Sequence, residues 1–191
     1  MFRRLSLLIM VCLLAAATVA RATTVIPPTF DQLVAEAQTV FVGEVMSQRS
    51  VMDSSSQGRS IHTLVTFRVE DVWKGSLGVV TQLEFLGGTV DDLTMDVAGM
   101  PQFSVGQRSV LFVGSTVRSA SPLVGFMHGR FRIERDLQSG VDRVRTFDGQ
   151  SLGSTASLGI QRTPSLTSVT AMRLTDFATA VRTRVSSSGK R

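Results

Sequence analysis

TFRVEDVWKG, residues 66–75, alternates and then breaks step. Phe67 and Val69 face one way while Thr66, Arg68 and Glu70 face the other, the pattern of a strand with one side on a core. Asp71, Val72 and Trp73 then arrive out of phase, just ahead of Lys74 and Gly75. A bulge at Glu70-Asp71 resolves the conflict, because one extra residue returns Val72 to the core side and re-aims Trp73. Upstream, IHTLV carries the same alternation, so the strand is expected over 61–73 with Ile61, Thr63, Val65, Phe67 and Val69 on one face.

The neighbouring segments fit that strand. TVFVGEVMS, residues 39–47, reads as a second strand, apolar on both faces near its start, and Gly43 in its middle marks a bend or bulge. QRSVMDSSSQGRS, 48–60, reads as a polar loop, and VVTQLEFLGG, 79–88, alternates up to a glycine pair. A turn-rich passage follows, with a short strand near Leu93–Val97. Its Asp91, Asp92 and Asp96 lack the alternation and closing glutamate of a calcium loop, so turn formation is their expected role. Whether Phe103 in GMPQF is buried or displayed is open at this level. RSVLFVGS is an apolar strand, and residues 128–147 form a hairpin turning at Leu137–Gly140. Pairing Asp136 with Val141 puts Ile133 opposite Val144 on one face, and Arg132 opposite Arg145 and Glu134 opposite Arg143 on the other.

Helices are expected at both ends of this β region. Thr29 and Gln32 have the spacing of a capping box for a helix over 30–37, which offers Phe30, Leu33, Val34 and Ala37 to a core. Residues 173–185 form an amphipathic helix with Leu174, Phe177, Ala178 and Val181 inward. Bent strands separated by turns, flanked by helices, predict a mainly β fold, a small OB-like barrel over 23–147, with a β-sandwich as the alternative. Residues 148–172, rich in Ser, Thr and Gly, are expected to be a linker, and 186–191 a disordered tail.

The N-terminal 22 residues have the form of a secretory signal. Arg3 and Arg4 precede an apolar run from Leu5 to Ala20, and Ala20-Arg21-Ala22 offers a small-x-small cleavage site. Cleavage after Ala22 removes the only cysteine, Cys12, and leaves an exported domain with no disulfide and no membrane span, destined for the periplasm or the exterior. It also removes three arginines, so 17 basic residues remain against 15 acidic ones, a formal charge of +2. The asymmetry is larger than the total. Residues 23–117 carry five basic and ten acidic side chains, and residues 118–191 carry twelve and five. Export, the absence of tyrosine and a single tryptophan all point away from nucleic acid.

Two histidines, His62 and His128, and no cysteine remain after cleavage, so the usual zinc ligand sets are not available. No nucleophile elbow, phosphate loop or dinucleotide fingerprint is present. The expectation is a non-enzymatic binding module with no cofactor. Its clearest charged feature is the hairpin, where Arg130, Arg132, Arg143 and Arg145 form a cationic ladder broken only by Glu134. Like charges opposed across strands are unfavourable, which an anionic polymer or acidic partner would relieve. The alternative is a solvated face that protects a sheet edge.

AQTVFVGEV, VTFRVEDVWKG, LEFLGG, GMPQFSVGQRSVLFV and HGRFRIERD together resemble a group of exported bacterial proteins similar to the netrin-like module, the OB-fold barrel of the tissue inhibitors of metalloproteinases. The resemblance covers residues 23–136. It implies that Trp73 plugs the barrel end and that Lys74-Gly75 turn the chain out. It also implies a role for the mature start. In those inhibitors the chain begins Cys-Thr-Cys-Val-Pro-Pro, and its first amine and carbonyl chelate the protease zinc. Here Thr23 and Val25 stand where the cysteines would be, Thr24 matches the threonine, and Pro27-Pro28 match the proline pair. An exported zinc metalloprotease is the partner this implies.

Overall fold

Strand pairing is organised around one long hairpin. In the computed structural model, which describes residues 26–55, 58–114, 120–160 and 169–188, β1 (Thr39–Ser55) and β2 (Gly58–Lys74) are each 17 residues long and antiparallel. Around them lie α1 (Phe30–Glu36), β3 (Val80–Leu86), β4 (Gly88–Val90), β5 (Leu93–Met95), β6 (Arg108–Val113), β7 (Arg130–Arg135), β8 (Asp142–Arg145) and α2 (Leu174–Ser188). Six strands form one antiparallel sheet in the order β3-β2-β1-β6-β7-β8, and β4 pairs with β5 in a separate ribbon. Among the described residues β3 and β8 do not pair with each other, so the sheet is open and the expected closed form of a barrel is not seen.

The phase break in TFRVEDVWKG is a pair of bulges. Val42 pairs with Asp71 and Gly43 with Val69, leaving Glu70 as the extra residue, and a second shift at Val40/Phe41 leaves Trp73 extra. Val69 and Val72 therefore pack on one face of the sheet and Trp73 on the other. Gly43 sits at the first shift because space demands it: a Cβ there would lie 2.8 Å from the Phe41 ring.

Both faces of the sheet are covered. On one face α1 and α2 bring Leu33, Val34, Phe177 and Val181 against Val40, Val42, Trp73, Phe112 and Phe131. On the other, Phe41, Val45, Val65, Phe67, Leu83, Phe85 and Leu111 are roofed by Phe103 and Leu123 from loops. Phe103 is thus buried, edge-on to Phe67 at 5.4 Å between ring centroids. Alternation at the start of β1 explains how one strand serves two cores, since Val40 and Val42 point to the helices and Phe41 away from them.

Three expectations need correction. The polar segment 48–60 is not a loop. Its described residues extend β1 and β2, with Gln48 opposite Val65 and Met52 opposite Ile61, and the pair runs on as a two-stranded arm beyond the end of β3. Polar side chains do not prevent a ladder made by the backbone, and the segment is tied to the ribbon by the Thr89 amide donating to Ser50 Oγ at 3.3 Å. Residues 148–172 are not merely a linker. Leu152 is fully buried and Ala171 nearly so, the Met172 amide donates to the Leu152 carbonyl, and the Val144 amide donates to the Met172 carbonyl. This part of the chain covers the β8 edge, while 161–168 fall outside the described residues. Finally, α2 runs on through Ser188 instead of ending at 185. Ser186 Oγ donates to the Arg182 carbonyl at 2.9 Å, and Ser188 Oγ to that of Arg184 at 3.0 Å, so the serine run bonds back into the helix.

Candidate functional site

The N-terminal edge is built by a short rigid segment and two glycines. Pro27-Pro28 lead into α1, and Thr29 closes the capping box: its Oγ1 accepts from the Gln32 amide at 3.3 Å while its own amide donates to Gln32 Oε1 at 2.8 Å. Gly125, with φ of 63°, lies so close that a Cβ would stand 2.7 Å from Pro28 Cγ. Gly159, with φ of 80°, faces Thr29 in the same way, its Cβ position 2.7 Å from Thr29 Cγ2. The chain is therefore held from Pro28 onward, and Ile26 just before it is 83% exposed. Thr23, Thr24 and Val25, the residues expected to contact a protease, lie outside the described residues.

Beside this segment is an open cavity of about 410 Å³ with a mixed apolar and polar lining. Pro27, Pro28, Leu33, Phe131, Phe147 and Leu158 supply the apolar walls, and His128, Thr146, Asp148 and Gln150 the polar rim. His128 stands edge-on to Phe147 with ring centroids 4.9 Å apart. Burial lowers its pKa from 6.5, outweighing the opposite effect of Asp148, so at neutral pH the imidazole is a neutral hydrogen-bonding group. Asp148 is held in its own turn by Thr146 Oγ1 and by Gln150 Nε2, the latter at 2.9 Å. Such a lining suits an apolar group carrying one or two polar atoms. Among the described residues no group of three His, Cys, Asp or Glu side chains converges as a metal set. Sequence reading missed this cavity because its walls come from four separate segments, none with a motif of its own.

The arginine hairpin has the expected register, with Arg132 opposite Arg145, Ile133 opposite Val144 and Glu134 opposite Arg143. It is not, however, a uniform cationic ladder. Arg130 is 1% exposed, with its guanidinium 4.2 Å from the centre of the Phe103 ring. It donates to the Gln102 carbonyl, to Gln107 Oε1 at 2.6 Å and to Ser109 Oγ at 3.4 Å. Desolvation, with a smaller contribution from Arg132, pulls its pKa down to about 10. Arg130 is a structural group of the second core and is removed from the candidate surface. Arg143 donates to Asp136 Oδ2 at 3.0 Å and to the Ala171 carbonyl at 2.8 Å. Arg145 lies against the Glu134 carboxylate and donates to Ser151 Oγ at 3.0 Å. Only Arg132, of the hairpin arginines, has no side-chain hydrogen bond or ion pair to a described residue, and its Nε is shut off from solvent. Sequence alternation could not separate these cases, because Arg130 and Arg132 share a face and only the distant Phe103 loop distinguishes them.

The end of β2 is architectural. Trp73 packs edge-on to Phe177 at 6.0 Å and donates from Nε1 to Asp71 Oδ2 at 2.8 Å. Lys74 Nζ donates to the Val34 carbonyl at 2.7 Å, closing the C-terminal end of α1. Gly75, with φ of 76°, makes the turn out, its Cβ position only 2.7 Å from the Gln38 carbonyl oxygen.

No protein-family model, curated protein or solved structure matches this chain. No helix among the described residues is long and apolar enough to cross a membrane.

Proposed function

We propose that this protein is an exported, non-enzymatic binding module that meets its partner with its N-terminal edge. The observation that carries this reading is the anchoring of Pro28 and Thr29 by Gly125 and Gly159 beside the 410 Å³ cavity. A segment fixed in advance loses little entropy on binding, which is what an inhibitory wedge requires. In the metalloproteinase inhibitors disulfides supply that rigidity. Here proline, the capping box and two close glycine contacts fix the chain from Pro28 onward, the base from which such a wedge would project. In its sharpest form the reading makes Thr23 the first residue, its amine and carbonyl on the zinc of an exported protease, with Thr24 and Val25 beside it. The netrin-like relationship is proposed with it, as a bent and open version of the OB barrel. Its support is the pair of bulges in the β1–β2 hairpin and the cores on both faces of the sheet.

The test is a single added residue. Protein starting at Thr23 should inhibit a matrixin-type zinc protease stoichiometrically, and the same protein extended by one alanine should not. Equal inhibition by both, or none by either, overturns the wedge. An anionic polymer bound along the arginine face is the weaker reading, since Arg130 is buried and Arg143 and Arg145 are engaged within the domain.

A further inference from the structure

The open cavity beside Pro27-Pro28 has one charged side chain in its lining at neutral pH, Asp148, because burial keeps His128 neutral. Asp148 is held in place. Its turn is closed by the Thr146 amide donating to the Gln150 carbonyl at 3.0 Å and by the Gly149 amide donating to the Thr146 carbonyl at 2.9 Å. Its two carboxylate oxygens accept from the Thr146 hydroxyl and from the Gln150 side-chain amide. Both donors are uncharged, so they orient the carboxylate without neutralising it, and each oxygen keeps a lone pair for a further donor. Asp148 forms no ion pair with a described residue. Arg145, which reaches the Gly149 carbonyl at 3.3 Å in the same turn, is paired with Glu134. In the adjoining cleft Asp31 is paired with Arg184.

His128 adds a second acceptor to the same rim. Its ring forms no hydrogen bond with a described residue, and a neutral imidazole has one nitrogen that can only accept. Asp148 lies close enough to act on the pKa of that ring. The rim therefore offers two acceptors and one uncompensated negative charge above walls of Phe147, Leu158 and the proline pair.

We propose that this cavity binds a small organic ammonium, whose charged nitrogen donates to the Asp148 carboxylate and to the accepting ring nitrogen of His128 while its carbon body lies against Phe147, Leu158 and Pro28. An anion would meet Asp148 with no cation in the lining to offset it. A neutral ligand would leave that charge uncompensated. A cation is also favoured beside aromatic faces, which Phe147 supplies. The volume is that of a small-molecule site.

The experiment uses the folded exported chain, labelled with nitrogen-15 and carbon-13, at neutral pH. Phenethylammonium and isoamylammonium chloride are titrated in separately, each against its own alcohol and against sodium chloride at the same ionic strength. Nα-acetyl-lysine amide, whose side-chain amine is free, is titrated in parallel. The His128 ring signals and the Phe147, Asp148 and Gly149 amides report on the cavity. The expected result is a saturable shift of these signals with an ammonium, which binds roughly tenfold or more tightly than its alcohol, the factor for a hydrogen bond to a charged group. Tighter binding of the aryl or alkyl amines assigns the site to a free amine, and tighter binding of the lysine amide to a lysine side chain of a partner. Asp148→Asn, which preserves the size of the side chain, should reduce the ammonium affinity to that of the alcohol. No saturable shift with any of the three ammonium compounds overturns the proposal. So does an alcohol that binds as tightly as its ammonium, or an Asp148→Asn protein that binds the ammonium as tightly as the wild type. If that variant fails to fold, the comparison of ammonium with alcohol on the wild type decides the matter. The assay contains no protease, so its outcome is independent of the Thr23 wedge.

Discussion

Lys74 at the end of β2 donates its ammonium to the Val34 carbonyl near the end of α1, 40 residues earlier in the chain, at 2.7 Å. Next to it Trp73 rests on Phe177 of α2. Two consecutive residues thus fasten the sheet to both helices. Arg182 to Asp71 at 2.7 Å and Arg184 to Asp31 at 2.6 Å extend the same junction on its exposed side.

Trp73→Ala is therefore expected to cost about 3–5 kcal/mol, the range for removing a large buried aromatic. Trp73→Phe should cost much less, and Lys74→Met about 1 kcal/mol for the lost cap. Urea denaturation followed by far-UV circular dichroism checks all three. A Trp73→Ala protein as stable as the wild type would contradict the placement of Trp73 in the helix-side core.

Gly43 and Gly75 should resist even a methyl group. At Gly43 the new Cβ meets the buried Phe41 ring, and at Gly75 it meets backbone oxygen while the backbone holds a positive φ. Each alanine variant should lose about 1–3 kcal/mol, with Gly75→Ala the worse because backbone cannot rotate away. Denaturant midpoints rank the two directly.

Arg130 and Phe103 should be coupled. A double-mutant cycle with Arg130→Met and Phe103→Leu is expected to return about 1–2 kcal/mol of interaction, the value for a desolvated cation over a ring. Additive effects would mean that Arg130 is held by its hydrogen bonds alone.

Acid should weaken the fold in two stages. His128 has a folded pKa below its ordinary 6.5, so between those values the unfolded chain binds more protons and stability falls as the pH drops. Asp136 accepts from the Ser139 and Gln138 amides and from Arg143, which lower its pKa from 3.8 to about 2. Its contribution is complete above 3.8 and is lost as the pH falls towards 2. Denaturation midpoints from pH 7.5 to 2 should show both losses. His128→Gln should flatten the first and Asp136→Asn the second.

How much of this was legible in the sequence depends on whether a signal was local. The bulge at Glu70, the hairpin register from Arg132 to Arg145, the Thr29 capping box and the inward face of α2 all follow from periodicity and turn chemistry over a few residues. The burial of Arg130 depends on Phe103, 27 positions away, and the cavity depends on four distant segments. The arm at 48–60 was hidden for another reason. Backbone pairing there is independent of the polar side chains that marked it as a loop. Closure of the sheet was likewise unreadable, because strand bending alone does not specify whether the two edges meet.

The most direct measurement of the central claim begins with the exported protein itself. Its intact mass and N-terminal sequence are determined, and that same material is titrated against a matrixin-type zinc protease. A chain beginning at Thr23 that inhibits with one-to-one stoichiometry is the predicted result. A chain that begins at Thr23 and leaves the protease fully active would contradict it.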